Sequence, residues 1–69
     1  MLYLFLELSV EQIEGKISFN KKLIAKLRKR AVRNTELYLL TGERTYLNEV
    51  CECDRIIAEL EEELLTLNN

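Results

Sequence analysis

The stretch Lys21-Lys22-Leu23-Ile24-Ala25-Lys26-Leu27-Arg28-Lys29-Arg30-Ala31-Val32-Arg33 holds the residue types most able to carry an activity. Cations interleaved with aliphatic residues can track phosphates, lie on an anionic surface or seat in an acidic protein groove. The same pattern also describes a solvated helix face paired in part with acids elsewhere in the chain. Arg28, Lys29, Arg30 and Arg33 are its densest part and wrap more than one face of a helix, which makes them the candidate partner-binding residues. No helix-turn-helix spacing accompanies them.

The remaining reactive residue types point away from chemistry. Glu59, Glu61, Glu62 and Glu63 include carboxylates at i,i+4 spacing, but there is no histidine to complete a catalytic or tight metal site, so they read as a solvated face. Cys51 and Cys53 are the only thiols. Two apart in a helix, they point to different faces and cannot bridge each other. Two thiols also fall short of four zinc ligands, unless a second copy supplies the others. No nucleophile with a base, no phosphate loop and no cofactor fingerprint is present, so the expectation is a non-enzymatic protein with no cofactor and no metal. Tyr3, Tyr38 and Tyr46 are either interface anchors or core.

These side chains must be held by a small scaffold. Sixty-nine residues make one domain, and a chain of that length buries only about 60% of its unfolded surface. Without disulfide or metal, self-association is the remaining staple, and a homodimer is the expectation. Residues 1–8, Met1-Leu2-Tyr3-Leu4-Phe5-Leu6-Glu7-Leu8, are too short to span a bilayer and lack the positive start of a signal peptide. The chain therefore reads as cytoplasmic, with no membrane partner. The same segment has no periodicity to decide between strand and helix, and its apolar Leu4, Phe5 and Leu6 are the candidate dimer contacts.

The rest of the sequence predicts an all-α antiparallel hairpin. Val10, Ile13, Ile17, Asn20, Ile24, Leu27, Ala31, Asn34 and Tyr38 form one a/d heptad track. Tyr46, Val50, Cys53, Ile57, Leu60, Leu64 and Leu67 form another. The expected helices run from about 10 to 40 and from about 45 to 67. Ser9 with Gln12 makes a capping box for the first, and Thr45 is placed to cap the second. Gly42 can take the left-handed conformation that lets the chain reverse, and a short connection favours antiparallel neighbours. Gly15 and a possible cap at Ser18-Phe19-Asn20 leave open a break in the first helix near residues 15–20, with one continuous helix preferred. Asn20 and Asn34 either fix the register of a bundle from within its seam or mark helix breaks, Asn34-Thr35 being placed to cap a fresh segment.

Charge supports the same pairing. From Gly15 to Arg33 all eight charged residues are basic, whereas Tyr46 to Asn69 holds seven acids against Arg55 alone. The expected neighbours are Lys22, Lys26, Lys29 and Arg33 on one side and Glu49, Glu52, Glu59 and Glu63 on the other. Glu49-Val50-Cys51-Glu52-Cys53-Asp54-Arg55-Ile56-Ile57 faintly resembles the second helix of the Spo0E-like aspartyl-phosphate phosphatases, which are also two-helix hairpins. That family has a Ser-Gln pair before its Asp. Here Asp54 stands, but Val50 and Cys51 occupy the places of the pair, and no function is carried over. The expectation is an adaptor or inhibitor that presents a helical surface to a larger protein. The alternative is a small nucleic-acid-binding regulator using residues 21–33.

Overall fold

A computed structural model describes residues 10–68, which form two α-helices and no strand. Helix α1 (Val10–Thr41) has 32 residues and helix α2 (Arg44–Asn68) has 25, and the two pack against each other as a hairpin. Residues 1–8 and Ser9 lie outside the described residues, and with them Leu4, Phe5, Leu6 and Tyr3. At about 1.5 Å per residue α1 is about 48 Å long. The extents of 51 × 20 × 14 Å are thus one helix long, two helices wide and one thick. A radius of gyration of 16.0 Å, against about 11 Å for a compact chain of this length, describes a rod.

The heptad tracks are the seam. On α1, Val10, Ile17, Ile24, Ala31 and Tyr38 take position a, and Ile13, Asn20, Leu27 and Asn34 take position d. On α2, Val50, Ile57 and Leu64 take a, and Tyr46, Cys53, Leu60 and Leu67 take d. Every one of them except Val10 is buried or half-buried. Val10 is exposed because α1 is the longer helix and its first turn projects past the end of α2. The apolar interior is small: Ile24, Cys53 and Ile57 are its buried residues, joined by the polar Asn20, and no described side chain is completely enclosed.

The chain reverses in two residues, Gly42 and Glu43. Gly42 has φ of +73°, where only glycine rests without strain, and its amide donates to the Tyr38 carbonyl at 2.7 Å, closing α1 with a left-handed cap. The Thr41 hydroxyl donates to the Leu37 carbonyl at 2.8 Å and accepts from the Glu43 amide at 3.2 Å. The Tyr46 amide then donates to the Glu43 carbonyl at 3.2 Å. Thr45 is therefore not the cap expected of it. The turn is one residue tighter than that reading required, α2 begins at Arg44, and Thr45 already lies inside its first turn.

Neither asparagine breaks α1, and neither does Gly15. Around residue 34 the reason is local. The Asn34 amide donates to the Arg30 carbonyl at 2.9 Å and the Thr35 hydroxyl to the Ala31 carbonyl at 2.8 Å. Both side chains bond back one turn within a continuing helix instead of capping a new one.

Candidate interaction surface

The heptad frame sorts the charges. In an antiparallel pair of helices the e positions face each other along one edge of the seam and the g positions along the other, and b, c and f point away. Arg28 and Glu61 are both e residues, and they pair at 3.1 Å. Arg30 and Glu49 are both g residues, and they pair at 2.6 Å. One bridge therefore closes each edge. All four side chains remain about 40–60% exposed, so these bridges orient the hairpin more than they stabilise it.

The pairing expected from charge alone differs in its cations. Lys22 and Lys29 occupy f, and Lys26 and Arg33 occupy c, so all four project from the outer face of α1 and none makes an ion pair among the described residues. On the other side, Glu52 and Glu59 also lie on an outer face, where both hold Arg55. Charge counting along the sequence cannot separate these sets. The same a/d track does so once its flanking positions are lettered.

The four candidate partner-binding residues thus divide into two pairs. Arg28 and Arg30 are committed to α2, while Lys29 and Arg33 are exposed and make no ion pair among the described residues. Lys22, Lys26, Lys29 and Arg33 follow one another at steps of four, three and four, making a cationic stripe about 16 Å long. Apolar residues border it: Phe19 is 65% and Val32 59% exposed, and Leu39 and Leu40 stand out near the turn. Arg28, Lys29, Val32, Arg33 and Glu36 line a shallow, open depression in this face.

The outer face of α2 has the opposite sign. Arg55 donates to Glu59 at 2.8 Å and also to Glu52. The Arg55 hydrogen bond and charge hold the Glu52 carboxyl below its ordinary pKa, and the same contacts raise that of Arg55. Glu62 lies on the same face and pairs with no cation among the described residues. Cys51 is exposed and Cys53 buried, on different sides of α2, and both are free thiols. Tyr38 and Tyr46 are half-buried in the seam on either side of the turn.

Among the described residues no cluster of three or more histidine, cysteine or acidic side chains is placed to hold a metal, and no helix is long and apolar enough to cross a membrane. What the geometry offers is surface: a cationic, apolar-edged helix face opposite an acidic one. No protein-family model, no curated protein and no solved structure matches this chain.

Proposed function

We propose that this chain is a non-enzymatic interaction module, an adaptor or inhibitor of a larger cytoplasmic protein, that works as a homodimer and presents the outer face of α1 to an acidic surface of its partner. The observation that carries this reading is the split among the four candidate residues. Arg28 and Arg30 are engaged within the hairpin, whereas Lys29 and Arg33 flank the exposed Val32 and make no ion pair among the described residues, Glu36 being the one acid that lines the same depression. Cations set around an apolar patch suit a protein groove, where the aliphatic part is desolvated and the charges supply orientation and encounter rate. Leu4, Phe5 and Leu6 stay as candidate dimer contacts outside the described residues.

A nucleic-acid-binding regulator would use the same stripe, and salt separates the two readings, because each phosphate neutralised adds about 0.9 to the slope of log affinity on log salt. The test is affinity capture from the native host lysate, with and without nuclease, using the tagged wild-type chain and a Lys29→Glu/Arg33→Glu variant. Reversing these two leaves both interhelical bridges intact. One protein recovered in near-equal amount by the wild type, independent of nuclease and lost with the variant, supports the proposal. Recovery that collapses with nuclease transfers the stripe to nucleic acid. Equal recovery by both chains returns Lys29 and Arg33 to a solvated face.

A further inference from the structure

The two edges of the hairpin differ in kind. Along the e edge lie Glu14, Lys21, Arg28, Thr35, Asp54 and Glu61, with Leu47 the apolar member near the turn. Along the g edge Leu23, Leu37 and Ile56 alternate with charges, and all three are only half-buried. Apolar residues at a and d alone suit a two-helix seam; adding g widens the stripe to what a helix in a larger bundle presents. A second observation concerns Asn20. It is 4% exposed, at a d position of the seam, and its Nδ2 is buried with no hydrogen-bond partner among the described residues. Asn34, at the same heptad position two repeats on, is satisfied by the Arg30 carbonyl.

We infer that the g edge docks a second copy of this chain, side by side with both turns at the same end, completing a four-helix bundle in which the two Asn20 amides meet across the two-fold axis. The charges select this occupant and this orientation. On the g edge α1 contributes Lys16 and Arg30, and α2 contributes Glu49 and Glu63. A two-fold axis along the rod sets α1 of one copy against α2 of the other, so cations meet acids. Lys16 and Glu63, which pair with nothing in the single hairpin among the described residues, then face each other between copies. The opposite-end arrangement lays α1 on α1 and sets cation against cation. The same-end arrangement also holds both Asn20 side chains at one level, where each amide can accept the other's unpaired donor, and a buried asparagine of this kind fixes register and helix number.

This inference rests on the homodimer reading above, and the experiment separates the two. Sedimentation equilibrium on the full chain, with helicity checked by circular dichroism, compares the wild type with Leu23→Glu, Ile56→Glu and the outer-face control Val32→Glu. The expected result is a wild-type dimer whose dissociation constant rises about 100-fold in each g-edge variant and stays unchanged in the control. A second arm mixes Lys16→Glu with Glu63→Lys, exposed changes that spare the core. Each variant alone repels its own copy, while a mixed dimer restores both contacts, so the heterodimer should be favoured about fivefold in native mass spectrometry. If the g-edge variants unfold, this arm decides. A wild type that stays monomeric at every concentration overturns the dimer and the docking edge together. A dimer that survives Leu23→Glu and Ile56→Glu, or mixes statistically, keeps the dimer and overturns the edge.

Discussion

Replacing each of the two glycines by alanine should move stability in opposite directions, although a new Cβ meets nothing within 4 Å at either site. With packing removed from the comparison, the backbone alone decides. Gly42 sits at φ +73°, where an L side chain costs about 1–2 kcal/mol. The stiffer unfolded chain returns about 0.4–1 kcal/mol of that, leaving Gly42→Ala destabilised by about 1 kcal/mol. Gly15 lies within α1, where alanine is better than glycine by about 0.5–1 kcal/mol. At about 4–8 °C per kcal/mol for a domain of this size, the two variants should melt about 10 °C apart, with the wild type between them. Thermal and urea unfolding by far-ultraviolet circular dichroism reads this directly, at one fixed protein concentration because self-association raises apparent stability. A Gly42→Ala chain that melts with or above the wild type would refute the left-handed cap as the device that reverses the chain. A destabilised Gly15→Ala would refute a regular helix through residue 15.

Other perturbations test the seam and its edges. Ile57→Ala should cost about 2–5 kcal/mol, most of what a core this small supplies, and leave a chain with little helicity at 25 °C. Arg28→Glu should cost less than about 1 kcal/mol because both partners of its bridge are more than half exposed, with the loss reversed by Glu61→Arg and erased in 1 M salt. The lowered pKa of Glu52 sets the sign of an acid effect. Its contribution is present above the unfolded carboxyl value of about 4.3 and is lost as pH falls through the lower folded value. Glu52→Gln should therefore lower the urea midpoint slightly at pH 7, where the contribution is present, and change nothing below the folded pKa, so that unfolding becomes less acid-sensitive, as a pH series of urea midpoints would show.

The hairpin was legible because its signals are local and agree: two a/d tracks at helical spacing, separated by a glycine, admit few other folds. The positions that misled are those where one residue type serves two local uses. Thr45 and Thr41 are equally good hydroxyl donors near a turn. Which of them serves depends on where Gly42 reverses the chain, and that leaves Thr41 bonded to both Leu37 and Glu43. Asn34 and Thr35 read as caps because their side chains bond to nearby backbone, and in the fold they do so, but backwards along an intact helix. Charge misleads for a different reason. Eight cations against seven acids predict complementary halves, yet reach is set by heptad position, so Arg28 and Arg30 pair across the seam while Lys29 and Arg33, one and three residues beyond them, do not.

That geometry also reverses an argument that the sequence invites. A net charge of −2 and an acidic second helix suggest that the basic stretch is neutralised at close range. The neutralising acids, Glu49 and Glu61, reach only the edge cations. The outer face of α1 and the acidic outer face of α2 lie on opposite sides of a rod 20 Å wide, more than twice the screening length of about 8 Å at physiological salt. A partner touching Lys22, Lys26, Lys29 and Arg33 therefore meets a cationic surface, and one approaching α2 meets an anionic one, whatever the total charge. Lowering the salt to 0.01 M extends screening to about 30 Å, beyond the width of the rod, and each face then begins to feel the other. The attraction of an acidic partner for α1 should consequently rise less steeply at very low salt than four unpaired cations alone would dictate, because the far side of the same hairpin repels what the near side attracts.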